Sequence, residues 1–255
     1  ASNNKDPIVN DLKKKVKGEV RFDSYTRALY STDASIYQIE PIGLVIPRDS
    51  NDVIAALETA WQAGVAILPR GAGTSLAGQA VNRAIVLDFS KYMNRVLSVN
   101  PEERSVYVQP GITLENLNRS LHPYGLHFAP DPTTADRSTV GGAIGNNSCG
   151  SHSVLYGKTL DHVKELDVVL SDGSQASFAQ VTPSELESRL KGATLESAIY
   201  RRVKGIVEEN YDEIERRFPK LMRRVGGYNL DEFVRNDSFD LSRLVVGSEG
   251  TLCTV

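Results

Sequence analysis

Cysteine is almost missing from this chain of 255 residues, which carries only Cys149 and Cys253. Two thiols cannot build a disulfide framework, and they fall short of the four thiolates that an iron–sulfur cluster takes from its protein. Long apolar runs are missing too. No stretch approaches the roughly 18 residues a membrane span requires, and no signal-peptide pattern opens the chain. Excess charge of one sign is also lacking: the net charge is −3, which makes no electrostatic case for nucleic acid as a partner. Tryptophan occurs once and histidine four times, and no His/Cys/Asp/Glu cluster with metal-ligand spacing stands out. These absences leave a cytoplasmic protein as the expectation, with no transmembrane segment, no nucleic-acid partner and no metal ligands of its own. The length allows one large domain or two lobes.

What the chain does have is glycine in the right places. Leu68-Pro69-Arg70-Gly71-Ala72-Gly73-Thr74-Ser75-Leu76-Ala77-Gly78-Gln79 follows the apolar Val65, Ile67 and Leu68 and precedes Ala84-Ile85-Val86-Leu87. It reads as a loop between two buried strands. Glycines let main-chain N–H groups approach a ligand, Arg70 brings a positive charge, and Thr74 and Ser75 bring hydroxyl donors. Such a loop suits an anion. It is not a P-loop, because Gln79 and Ala80 stand where Lys and Ser or Thr are required after Gly78. It is a poor dinucleotide fingerprint of the Rossmann kind, because Leu76 occupies the sixth position and no acidic residue follows at the expected distance. A plain glycine turn between strands is the bland alternative.

A second stretch, about sixty residues on, tips the balance. Pro130-Asp131-Pro132-Thr133-Thr134, then Ser138-Thr139-Val140-Gly141-Gly142-Ala143-Ile144-Gly145-Asn146-Asn147-Ser148-Cys149-Gly150, then Tyr156-Gly157 follow in order, and Gly247-Ser248-Glu249-Gly250-Thr251-Leu252 lies near the end. Together these resemble the FAD-binding domain of the vanillyl-alcohol oxidase and p-cresol methylhydroxylase (PCMH) superfamily. Within it they are most similar to FAD-linked dehydrogenases of D-2-hydroxy acids (D-lactate, glycolate and D-2-hydroxyglutarate), especially long forms with an iron–sulfur region. The resemblance runs from about Pro41 to Leu252. One departure is Cys253, where the family has a glycine.

The rest of the sequence sketches the elements. Pro7 to Lys17 has a helical pattern with Ile8, Leu12 and Val16 on one stripe, while Tyr25 to Ile39 shows no clean period and carries only a Tyr30-to-Ser35 segment similar to the family. Ile42 to Ile46 is a predicted strand. Asp49, Ser50 and Asn51 supply an N-cap for a helix whose apolar stripe is Val53, Leu57, Ala60 and Trp61 and which ends near Gly64. Strand, helix, strand implies a parallel crossover, so the glycine loop falls at the carboxyl end of a strand, where open α/β sheets place their ligands. Arg95 to Val99 and Ser105 to Gln109 read as short strands, and Thr113 caps a helix through Leu121 with Leu114, Leu117 and Leu121 inward. Asp131 to Gly157 reads as one long functional loop. Asp161 to Leu170 and Gln175 to Phe178 make a hairpin; Pro183 to Leu190 and Leu195 to Phe218 read as helices. The arginine pairs 201–202, 216–217 and 223–224 read as a solvated helix face amid glutamates.

The fold class that follows is α+β: a two-lobed PCMH-type FAD-binding fold, with a small parallel βαβ lobe and a mixed or antiparallel sheet lobe with helices. The expected layout is an N-terminal helical segment over 1–40 and the FAD-binding domain over 41–255, with a first lobe at about 41–95 and a second at about 96–255. The resemblance places cofactor contacts at Pro69, Arg70, Gly71, Ala72, Gly73, Thr74, Ser75 and Gln79; at Asp131, Pro132, Thr133, Thr139, Gly141, Gly142, Asn146, Ser148, Cys149, Gly150, Tyr156 and Gly157; and at Val163, Glu249 and Gly250. Thr139, Asn146 and Ser148 suit polar atoms of the cofactor, and Gly141, Gly142 and Gly150 suit main chain lying against a flat ring. Some members link FAD through a histidine at the position of Thr74, and a hydroxyl cannot form that bond, so FAD is expected to be noncovalent. The substrate lobe with its carboxylate-binding arginine and basic histidines, and the iron–sulfur region, are expected beyond Val255. This chain is therefore expected to hold FAD without catalytic residues of its own. The parent enzyme would oxidise a small 2-hydroxy acid to the 2-oxo acid and pass electrons to the iron–sulfur region or an external acceptor. Two alternatives stay open: an FAD reductase of the cell-wall type that oxidises NADPH, and a non-catalytic flavin-binding module.

Overall fold

The computed structural model describes residues 7–235 and 238–255, and the chain divides into two compact units. The first comprises residues 1–128, 132–143 and 171–173; the second comprises 129–131, 144–170 and 174–255.

The first unit begins with α1 (Pro7–Lys15), whose Ile8, Val9 and Leu12 are buried, as the helical spacing predicts. Then come β1 (Glu19–Arg21), α2 (Ser24–Leu29), β2 (Gly43–Ile46), α3 (Ser50–Gln62), β3 (Ile67–Arg70) and β4 (Ile85–Asp88). The sheet order is β1-β2-β4-β3, with β1 antiparallel to β2, and β2 and β3 each parallel to β4. The strand–helix–strand crossover is therefore parallel, and β4 inserts between its two strands. β2 and β4 are buried along their whole length, the signature of sheet covered on both faces. Their side chains Leu44, Ile46 and Val86 pack with Leu68 and with Ala84, just ahead of β4, into one cluster flanked by Tyr30 and Tyr92.

α3 starts where the sequence says it should, with Asp49 accepting from Asp52 N at 3.1 Å. Asp52 is 1% exposed and its carboxylate takes N–H bonds from Lys17 at 2.7 Å, Gly18 at 2.9 Å and Arg48 at 2.9 Å, fixing the chain as it enters β1. The predicted apolar stripe is right for Val53, Leu57 and Ala60 and wrong for Trp61, which is 65% exposed. Trp61 lies roughly 80° round the helix from Val53, off the face that Ala56 completes. α2 was not legible: it is a short helix started by the Asp23 carboxylate, which accepts from Thr26 N. The two short strands expected here are β5 (Val96–Asn100) and β6 (Ser105–Val108), which pair antiparallel, and Thr113 caps α4 (Leu114–Leu121). Leu117 and Leu121 join Ile112 in a second cluster.

The stretch read as one long loop holds two short helices, α5 (Val140–Asn146) and α6 (Ser153–Tyr156). Three glycines in seven residues argue against helix on propensity, but tertiary contacts override that weak preference. Gly141 N donates to Pro110 O at 2.8 Å, and a Cβ on Gly141 would sit 2.9 Å from Pro110 Cβ.

The second unit carries β7 (Glu165–Val169) and β8 (Gln175–Val181), paired antiparallel, followed by α7 (Pro183–Leu190), α8 (Leu195–Glu209) and α9 (Tyr211–Arg217). The single helix predicted over 195–218 is two, because Asn210 leaves helical geometry at φ −122°, ψ 19°. α10 (Glu232–Arg235), β9 (Phe239–Asp240), which pairs with β8, and α11 (Leu241–Val245) complete it. Tyr200 is fully buried and packs edge-on to Phe178 and tilted on Phe239.

Candidate functional site

In the first unit the glycine loop leaves β3 and meets the start of the second glycine stretch. A Cβ on Gly71 would lie 2.4 Å from Thr139 Oγ1 and 3.5 Å from Gly142 Cα, so only glycine lets the two segments close. Thr74 Oγ1 lies 3.2 Å from Ser138 Oγ, which in turn lies 2.5 Å from Thr134 Oγ1, a run of hydroxyls joining the two stretches. Among the described residues, none accepts a hydrogen bond from the main-chain N–H of Ala72, Gly73 or Thr74. Three successive donors on a partly exposed loop, with hydroxyls beside them, form the kind of concavity that binds phosphate oxygens.

The other expected residues of this unit have internal partners. Thr139 Oγ1 accepts from Gly142 N at 3.2 Å and so caps α5. Gln79 accepts from Ala77 N, and Pro132 O accepts from Ala135 N in a turn that leaves Thr133 exposed. Pro69 lies in β3, in register with Leu87. Arg70, expected to lend its charge to an anion, instead donates to the carbonyls of Tyr30 at 3.2 Å, Ala80 at 2.8 Å and Thr32 at 2.8 Å. Burial pulls its guanidinium below the ordinary arginine pKa, and Tyr30, Asp33 and Asp88 oppose that pull. Tyr30 also donates to Asp88 at 2.5 Å, and burial raises its phenol.

In the second unit the expected residues gather round Gly150. A Cβ there would sit 1.8 Å from Asp131 O, so main chain crosses main chain at this point and no other residue fits. Gly150, expected to lie against a flat ring, is thus required by Asp131, itself left-handed at φ +44°. Ser153 Oγ accepts from Gly150 N and donates to Pro130 O, His152 Nδ1 lies 2.8 Å from Asp131 Oδ2, and Arg223 donates to Gly150 O at 2.5 Å. Cys149 is a free, half-buried thiol. Ser148 O accepts from Thr159 N and Oγ1, Tyr156 is 45% exposed, and Gly157 ends α6 at φ +81°. Val163 is half-buried just ahead of β7.

Asn146 belongs to the last turn of α5, and the 247–250 turn closes that helix. Gly247 N donates to Ile144 O and Glu249 N to Gly145 O, both at 2.9 Å, so carbonyls that a helix end leaves orphaned are satisfied. Glu249 and Gly250 are both left-handed. What holds this turn is not legible in the sequence. Asn229, fully buried, donates to Val246 O at 2.7 Å and Arg243 O at 3.1 Å, and Tyr228 Oη lies 2.9 Å from Thr251 Oγ1. Asn147, also fully buried, accepts from Leu160 N. Arg224 pairs with buried Asp231 and so is not part of a solvated face, while Arg223 is exposed.

Also missed was the segment 30–38, dense in polar residues, which grips the glycine loop of the first unit. Ala34 N donates to Gly73 O at 2.9 Å, Asp33 Oδ2 accepts from Ala80 N at 3.3 Å, and a Cβ on Gly78 would fall 2.6 Å from the Tyr37 ring.

Comparison with known proteins agrees with this construction. The chain is 39% identical over 234 residues to a D-2-hydroxyglutarate dehydrogenase of Pantoea ananatis, covering 90% of this chain and 23% of that protein. It is 41% identical over 236 residues to the D-2-hydroxyglutarate dehydrogenase of Escherichia coli K12, with 90% and 23% covered. It is 32% identical over 253 residues to glycolate oxidase subunit GlcD of Bacillus subtilis, with 96% and 43% covered. The chain thus spans about a quarter of the length of the dehydrogenases it matches. Among solved structures, a xylooligosaccharide oxidase from Myceliophthora thermophila superposes with a TM-score of 0.61 at 25% identity, over 74% of this chain and 40% of that one. An alkyldihydroxyacetonephosphate synthase superposes with a TM-score of 0.61 at 24% identity, over 66% of this chain and 37% of that one. These likenesses bear out the PCMH-type fold expected from the motifs. Residues 41–178 match the family model described as FAD binding domain, and this chain belongs to that family.

Proposed function

We propose that this chain holds FAD noncovalently for a larger cytoplasmic enzyme that oxidises a D-2-hydroxy acid to the 2-oxo acid. The observation that carries the cofactor reading is the trio of unpartnered donors at Ala72, Gly73 and Thr74, beside the hydroxyls of Thr74, Ser138 and Thr134. These groups take the pyrophosphate, whose charge suits a curl of N–H groups. The names of the relatives support the substrate class.

When bound, FAD supplies a hydride acceptor for the C2 hydrogen of the substrate, while the hydroxyl proton passes to a base. The residues of this chain orient that group. Within the second unit, the Gly150–Asp131 crossing and the closed end of α5 hold the main chain that carries Ser148, Cys149 and Tyr156. Substrate binding falls to the remainder of the parent enzyme, a reading supported by relatives about four times as long as this chain. Electrons leave through an iron–sulfur region or an external acceptor.

Purified chain should take up FAD with a yellow visible spectrum and release it into the supernatant on acid precipitation. Folded protein that neither carries nor takes up flavin rejects the reading. In the full-length enzyme, D-2-hydroxyglutarate, D-lactate or glycolate should bleach the flavin; bleaching by NADPH alone would favour the reductase class.

A further inference from the structure

Arg70 is a cation placed in a candidate anion site and spent elsewhere. Its three carbonyl partners come from both sides of the glycine loop: Tyr30 and Thr32 from the segment 30–38, and Ala80 from the loop's far end. The guanidinium fills the inside of the curl so closely that a Cβ on Gly73 would meet Arg70 Nη2 at 2.6 Å, and Gly73 itself is left-handed at φ +69°.

We infer that the segment 30–38 is a strap belonging to the phosphate-binding apparatus, with Arg70 and Asp33 as positioning residues that turn the Ala72–Thr74 donors outward instead of touching the anion themselves. The inference rests on the cofactor reading above for its ligand. The geometry follows from the peptide plane. A trans peptide sets C=O and N–H in opposite directions. The carbonyl of Gly73 is held by Ala34 N on the strap, so the N–H of Thr74, in the same peptide, points away from the strap. Asp33 Oδ2 on Ala80 N fixes the loop's exit, while its other oxygen accepts from Ser35 N and fixes the strap's own turn. The Tyr37 ring against Gly78 closes the remaining side. The Gly73 carbonyl held by the strap, a guanidinium that ties the strap to the loop's exit, and amides left over at 72–74 make a preorganised donor set.

Lysine keeps the charge of Arg70 and loses the planar fork that reaches several carbonyls at once. R70K, R70Q and D33N are therefore compared with the unaltered chain by FAD titration across ionic strength, and by amide hydrogen exchange on the ligand-free protein. Positioning predicts that R70K and D33N each weaken FAD binding by about tenfold or more, the size of a lost charge-assisted hydrogen bond. It also predicts an unchanged salt dependence and faster exchange at 73–80 before any FAD is added. Wild-type affinity in R70K, with weakening and a shallower salt dependence only in R70Q, would make Arg70 a direct ligand and overturn the inference; so would unchanged exchange at 73–80 in both R70K and D33N. Should R70K fail to fold, D33N carries both readouts. If the unaltered chain takes up no FAD, the cofactor reading falls, and the exchange comparison still decides whether the strap orders the loop.

Discussion

Single residues in this chain are set less by their own chemistry than by what crosses them. Gly150 is the clearest instance. Replacing it with alanine would drive a methyl into the Asp131 carbonyl, and since both partners are main chain neither can swing aside. G150A should cost about 2–3 kcal/mol or more of unfolding free energy, measured by urea denaturation. Glu19 gives a pH effect with a definite sign. Its hydrogen bond to Lys91, then that to Tyr92, hold its carboxyl down to about 2 against an ordinary 4.5. A depressed carboxylate stabilises the fold above the unfolded value and loses that contribution as pH falls from 4.5 towards 2. Glu19 is partly exposed and its Lys91 and Arg21 partners lie half in solvent, which screens the pairs and keeps the effect small. E19Q should flatten the acid limb of the thermal stability profile between those values and leave the slope near neutral pH unchanged.

Elements show where sequence was enough and where it was not. The start of α4 was legible to the residue and that of α3 to one of three neighbours, because an Asp or Thr cap is a local device, acting within three residues. β7 and β8 were legible because alternation and a Ser-Asp-Gly turn are local too. α5 was not, since its glycines oppose helix and its support comes from Pro110 at one end and from Gly247 and Glu249 at the other. The same limit hid the strap: Arg70 reads as a free cation until the carbonyls of Tyr30 and Thr32, some forty positions earlier, are brought beside it. It hid Asn229 as well, whose partners lie fourteen and seventeen residues on. Asn229 anchors the segment before the 247–250 turn, and N229A would leave two buried carbonyls short of a donor. A loss of about 2–3 kcal/mol is expected in chemical denaturation, with faster exchange of the Gly247 and Glu249 amides as its local mark.

At the scale of the whole chain, the motifs named the family because several glycine, hydroxyl and amide groups recur in one order, and the match over residues 41–178 agrees. What they do not reach is the rest of the relatives' length, since the dehydrogenases are about four times as long as this chain. This chain with FAD bound should show a flavin spectrum yet give no reduction with D-2-hydroxyglutarate, D-lactate or glycolate under anaerobic conditions; bleaching would place the base and the acid-binding groups within these residues.

The closure of α5 by Gly247 and Glu249 has a bearing on biosynthesis. A helix more than a hundred residues upstream waits for residues 247–249 to be made before its carbonyls find donors, and Val169 waits likewise for Thr254. A ribosome-arrested nascent chain ending at residue 246 should therefore be cut by protease within 140–157, and extending it through residues 247–255, once these are clear of the exit tunnel, should confer resistance.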